Sequence, residues 1–198
     1  MKGLYQLHCM NILHRDLKSA NVFLYSEEND EEIAKLGDLN VSKLAKQGLL
    51  YTQTGTPYYA SPEVWKDQPY DSKSDVWSLG CVCYEMCALV PPFRAENMDG
   101  LFKKVQKGQF SRIPAYYSDD LNHVIKKLLS VNPQGRPSCE QILNSELVQK
   151  NLIKMDLIGL VPYHLLRDKS YGRVQLNGGG GDQNHHSRNE DQPGHPGP

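Results

Sequence analysis

Charge of one sign is what this chain most plainly lacks. Its 22 lysines and arginines stand against 23 aspartates and glutamates, a formal net charge of -1. Composition therefore gives no argument for a nucleic-acid backbone or an anionic membrane surface as partner. Long apolar runs are missing too. Residues 76–90 hold 12 apolar side chains of 15, broken by Ser78, Gly80 and Glu85. That is too short to span a bilayer and predicts a helix buried on all sides of a globular core. Met1-Lys2-Gly3 opens no basic region followed by an apolar stretch, so no secretory signal is expected. Cysteines are few and odd in number: Cys9, Cys81, Cys83, Cys87 and Cys139. Three crowd one expected helix, which argues against a disulfide framework and for reduced thiols in the cytosol or nucleus. Helical spacing also scatters Cys81, Cys83 and Cys87 with no histidine nearby, a poor metal-ligand set. Residues 177–198 contain no Ala, Val, Ile, Leu, Met, Cys or aromatic residue, and nine of the 22 are Gly or Pro. Such a segment has no apolar surface to bury and is expected to be disordered.

What is present organises the remainder. A length of 198 residues suits one domain with a tail. Leu4, Leu7 and Met10 suggest the end of a helix. Val22-Phe23-Leu24-Tyr25 and Ile33-Ala34-Lys35-Leu36 read as two short strands around an acidic turn, Glu27 to Glu32. From Asp38 to Pro62 there is little periodicity and much Gly, Thr, Ser and Tyr, the mark of a long functional loop. A helix is predicted over Asp75 to Leu89, capped by Ser72 or Ser74 and stopped by Pro91-Pro92. Leu121, Val124, Ile125, Leu128 and Leu129 form a helical stripe behind Ser118. Ser138 begins a last helix through Leu147.

One stretch carries the chemistry. His14-Arg15-Asp16-Leu17-Lys18-Ser19-Ala20-Asn21 fixes five residue types at set spacing, a pattern a random chain of this length would contain roughly once in ten thousand. Leu36-Gly37-Asp38-Leu39-Asn40 follows shortly after. Together with Gly55-Thr56-Pro57-Tyr58-Tyr59-Ala60-Ser61-Pro62-Glu63, Asp75-Val76-Trp77-Ser78-Leu79-Gly80 and Asn132-Pro133-x-x-Arg136-Pro137, these segments resemble the C-terminal lobe of a eukaryotic protein kinase over residues 3–150. Asp16-x-Lys18 resembles the serine/threonine branch. Asn21-Val22-Phe23-Leu24 and Val41-Ser42-Lys43 are similar to the NIMA-related kinases.

Phosphoryl transfer needs positioning and charge stabilisation more than covalent chemistry. Asp16 suits the carboxylate that orients a hydroxyl and accepts its proton, and Lys18 a cation beside the transferring phosphoryl group. Asn21 and Asp38 offer the hard oxygen ligands that Mg²⁺ requires. The resemblance implies more. ATP would meet Lys18, Ala20, Asn21, Phe23 and Asp38, with Phe23 as the floor under the adenine. Thr56 would bond Asp16 and Lys18, and Thr52 would be an activating phosphorylation site with Arg15 as its partner. Asp75 would brace the backbone around His14 and Arg15, and Arg136 would pair with Glu63.

The expected fold is mainly α, α+β overall: a helical kinase-like C-lobe with a small β-hairpin carrying the catalytic loop. Residues 1–150 would form that lobe, 151–176 an extension and 177–198 the tail. The expected activity is serine/threonine phosphorylation of proteins with ATP and Mg²⁺. Cytoskeletal or ciliary proteins are partners by family analogy, with a cytoplasmic location and neither nucleic acid nor membrane as partner. Two departures are mild: Asp38-Leu39-Asn40 stands for Asp-Phe-Gly, where Asn tolerates φ > 0 best among non-glycine residues, and Ser61-Pro62-Glu63 stands for Ala-Pro-Glu. A larger one is that no glycine-rich phosphate loop or strand lysine precedes His14. Gly178 to Gly181 lie in the tail with no following helix. The alternative is therefore a catalytically inactive C-lobe product acting as a docking module.

Overall fold

The computed structural model describes residues 1–26, 32–39 and 57–154. The acidic turn, the loop holding Asn40, Thr52 and Thr56, and the expected extension and tail beyond residue 154 lie outside them. Chain order is α1 (Lys2–Cys9), a 3₁₀ turn (Ser19–Asn21), β1 (Val22–Ser26), β2 (Glu32–Leu36), α2 (Pro62–Trp65) and α3 (Ser72–Ala88). α4 (Met98–Lys107), α5 (Asp119–Leu128), a 3₁₀ turn (Pro133–Gly135), α6 (Cys139–Leu143) and α7 (Glu146–Lys154) follow. Helix dominates and the strands make one small antiparallel sheet, as a helical kinase-like lobe requires.

α3 is the axis. Its start is fixed by Asp71, whose carboxylate accepts from the Lys73 and Ser74 amides while the Ser74 hydroxyl accepts from the Asp71 amide. This reciprocal cap satisfies amides that the helix cannot satisfy internally, a contribution of about 1 kcal/mol. The predicted start at Asp75, with Ser72 or Ser74 as cap, is thus too late by one turn. Two stripes explain why the helix shows no polar face. Trp77, Cys81, Tyr84 and Cys87 pack on Phe93, Leu101, Val105, Ile113, Ile125 and Leu129. Val76 and Leu79 pack instead with Leu4, Leu7, Leu17, Leu128, Cys139 and Ile142. Trp77 stacks on Phe93 at 5.3 Å between centroids. α3 and α5 approach so closely that a β-carbon at Gly80 would lie 2.8 Å from Leu128 Cβ and 2.9 Å from Leu129 Cδ2. Burial is not complete on all sides, since Met86 and Leu89 at the C-terminal end are exposed.

Ser118 caps α5 through the Leu121 amide, as its position predicts. Elsewhere the structure differs from expectation. α4 has no counterpart in the predicted elements, although Asn97 caps it and Gly108 ends it in a left-handed conformation. The last expected helix is two, broken at Asn144–Ser145, where the Ser145 hydroxyl returns to the Ile142 carbonyl. Met10 lies past the end of α1 and is exposed; Leu4 and Leu7 alone are its buried face.

The hairpin pairs Val22 with Leu36 and Leu24 with Ala34. Two strands alone are marginally stable in water. This pair is anchored at its base, where the Gly37 amide donates to the Asn21 carbonyl at 2.9 Å and Leu36 packs into the cluster around Leu4. Further out, Phe23, Leu24 and Tyr25 are 56, 68 and 52% exposed.

Candidate active site

The loop between α1 and β1 holds Asp16, Lys18 and Asn21 close together. Lys18 Nζ lies 2.9 Å from Asp16 Oδ2. Asn21 Nδ2 donates to the Asp16 carbonyl at 2.7 Å and to Oδ2 at 3.3 Å. Asn21 is buried and sits in a 3₁₀ turn closed by its own amide on the Lys18 carbonyl. Its amide nitrogen being turned to Asp16, its Oδ1 is directed away from that residue. Asp16 remains about one-third exposed, open to a substrate group.

The loop backbone is strained and braced. Arg15 adopts φ 64°, a left-handed conformation that costs a bulky residue of order 1–3 kcal/mol and persists only when its surroundings impose it. Asp75, from α3, imposes it. Its fully buried carboxylate accepts from the His14 and Arg15 amides, both at 3.0 Å, from Tyr70 Oη at 2.5 Å and from His8 Nε2 at 2.8 Å. Burial alone would raise the Asp75 pKa. The donors from His8, Tyr70 and the two amides outweigh it and hold the carboxyl below the ordinary carboxylate range. His14 is buried, and neither ring nitrogen has a hydrogen-bond partner among the described residues.

Asp38 follows Gly37, whose amide is tied to Asn21, and the chain there is at φ 53°. Asp is among the residues that tolerate this region. An amide oxygen from Asn21 and a carboxylate from Asp38 on adjoining segments are a donor set that fits Mg²⁺, a hard cation that binds few protein oxygens and keeps waters and phosphate oxygens. No group of three or more His, Cys, Asp or Glu side chains suited to a metal occurs among the described residues. The cysteines are unpaired. Burial pushes the Cys81 and Cys83 thiols up, the latter to about 11.

A second buried carboxylate is Glu63, on α2. Arg136 meets Glu63 through two bonds, 2.6 Å to Oε1 and 2.8 Å to Oε2. Its remaining N–H groups donate to the carbonyls of Ser130, Lys73 and Val131. All five guanidinium donors are used, and the group lies 5.0 Å above the Trp77 ring. Burial opposes ionisation of Glu63, but Arg136 wins and the pKa is lowered. Sequence reasoning missed His8 and Tyr70 on Asp75, and Ser74 on Glu63 at 2.8 Å. It also missed a chain running from Ser19 Oγ through Tyr59 Oη (2.9 Å) to Glu85 Oε2 (2.6 Å). Of the other expected site residues, Ala20 and Phe23 are exposed beside this loop, and Thr52 and Thr56 lie outside the described residues.

Residues 1–148 match the sequence profile of the protein kinase domain. The chain is 48% identical over 139 residues to the serine/threonine-protein kinase Nek2 of Mus musculus, covering 69% of this chain and 30% of that protein. Nek2 of Homo sapiens is 46% identical over the same length, again 69% and 30%. The G2-specific protein kinase nim-1 of Neurospora crassa is 45% identical over 141 residues, 71% of this chain and 16% of that protein. The chain thus spans less than a third of these relatives, all three of which are named as kinases. A motif that orders Asp16, Lys18 and Asn21 around one carboxylate, within a profile match over three-quarters of the sequence, leaves no ambiguity of family: the chain belongs to the protein kinases.

Proposed function

We propose that residues 1–150 are the catalytic lobe of a serine/threonine protein kinase of NIMA-related type, and that the whole protein transfers the γ-phosphoryl group of ATP to protein hydroxyls. Asp16 orients the Ser or Thr hydroxyl and takes its proton as the oxygen attacks γ-phosphorus and the bond to the ADP oxygen breaks. Lys18 offsets charge developing on the phosphoryl oxygens. Asn21 and Asp38 would hold Mg²⁺, which when bound neutralises phosphate charge. Ala20 and Phe23 would line the nucleotide site. Thr52 would be the activating phosphorylation site, its phosphate meeting Arg15, and Thr56 would reach Asp16 and Lys18. Cytoplasmic, cytoskeletal or ciliary proteins would be the substrates, by analogy with the NIMA-related kinases.

The observation that carries the proposal is the shared contact of Lys18 and Asn21 on Asp16 Oδ2. A chimaera tests it, with residues 1–148 of this chain replacing the matched segment of mouse Nek2. It is expected to phosphorylate Ser or Thr of a protein substrate with MgATP. Asp16→Asn in the chimaera is expected to lower kcat by about 10²–10⁴. A folded chimaera without activity, or one indifferent to Asp16→Asn, would refute the assignment.

A further inference from the structure

The brace on the catalytic loop extends one residue beyond Asp75 and His8. Cys139, the first residue of α6, lies with its Sγ 3.7 Å from His8 Nδ1. Both groups are largely buried, the thiol at 2% exposure and the imidazole at 13%. The proton positions follow from the partners. Ionised Asp75 can only accept. Its Oδ1 takes the Arg15 amide and Tyr70, and its Oδ2 the His14 amide and His8 Nε2. The proton between His8 and Asp75 therefore sits on Nε2. In a neutral imidazole the other nitrogen is then an acceptor. Burial pushes the Cys139 thiol up to about 12, so the sulfur carries a proton to give. S–H is a weak donor and a thiol sulfur a poor acceptor, so the favourable direction runs from Cys139 to His8.

We infer that Cys139 is a positioning residue for the catalytic loop: its S–H, donated to His8 Nδ1, fixes the imidazole as the tautomer that donates from Nε2 to Asp75. The opposite tautomer would turn a nitrogen lone pair toward the carboxylate and remove one of its four donors. The strained Arg15 backbone would then be held by a less constrained anion. The functional meaning rests on the catalytic reading of the loop; the hydrogen-bond chain does not.

Imidazole ¹⁵N–¹H correlation spectra and amide hydrogen exchange on the full 198-residue chain test the inference. Wild type is expected to show the His8 ring with its proton on Nε2 and an acceptor at Nδ1. Cys139→Ser retains a donor and should keep that signature. Cys139→Val retains apolar bulk without a donor. It should give mixed tautomers and speed exchange at the His14 and Arg15 amides by about threefold or more relative to α5 amides. A packing role predicts the reverse order, with Val tolerated and the buried hydroxyl of Ser harmful. That order overturns the inference, as does an imidazolium or an Nδ1-protonated ring in wild type. If the Val variant does not fold, Cys139→Ala is read in the same way. None of these signals depends on phosphoryl transfer, so failure here is distinct from failure of the chimaera assay.

Discussion

The two buried carboxylates, Asp75 and Glu63, are held by different chemistry. Glu63 is met by a full positive charge, and Arg136 is in turn satisfied at all five donors. Asp75 is met instead by two backbone amides, a phenol and an imidazole. The first arrangement ties α2 to the segment before α6, so its loss leaves a buried charge without a counterion. The second ties a strained loop to a helix, so its loss releases local geometry around Asp16. Charge pairing serves the architecture here, and neutral donors serve the site.

The largest effect should therefore come from Glu63. Glu63→Ala strands a guanidinium that is 1% exposed, and stability measured by urea unfolding should fall by about 3–5 kcal/mol. A loss below 1 kcal/mol would mean that Arg136 finds another anion and that the contrast with Asp75 is false. Asp75→Asn should cost less, about 1–3 kcal/mol, because one side of the amide turns a donor toward donors. Its damage should be local, with exchange at the His14 and Arg15 amides rising more than exchange in α5. Acid tests both sites in the same way. Both carboxyls have folded pKa values below their unfolded ones. Their stabilisation is complete above the unfolded carboxylate range near about pH 4, and is lost as pH falls through the lower folded values. Proton uptake on acid unfolding should shrink in both Asp75→Asn and Glu63→Gln, and an unchanged acid limb in either would remove that residue from the account. The smallest effect is a gain. Leu89 ends α3 at φ 58° and is 84% exposed. Leu89→Gly removes the strain of a side chain in the left-handed region at no loss of packing, a gain of about 0.5–1 kcal/mol, or about 1–4 °C in Tm.

Some of this was legible in the sequence for identifiable reasons. The His14 to Asn21 pattern and Asp38 are local in the chain, so spacing alone brings them together. α3 announces itself by apolar density, and α5 by a five-residue stripe behind a capping serine. α4 is harder to see because its stripe of Met98, Leu101, Phe102 and Val105 is short and shares the helix with three lysines. The true cap of α3 is an aspartate one residue outside the serines that drew attention. His8 and Asp75 are 67 residues apart, and Cys139 and His8 are 131 apart; no periodicity relates them. Such contacts depend on how α1, α3 and α6 pack, which a single sequence read by spacing does not specify.

Arg136 also has a consequence in time. The nearest partners of its guanidinium in the chain are Val131 and Ser130, while Lys73 and Glu63 lie 63 and 73 residues away. Closing a loop of that length costs entropy before any of the distant bonds can form. The guanidinium is therefore expected to stay hydrated through early collapse and to exchange water for its protein partners late, in one cooperative step. Unfolding reverses the order: the same step must be undone before the two clusters on α3 can part, which makes this residue a lock on the lifetime of the fold as well as on its depth.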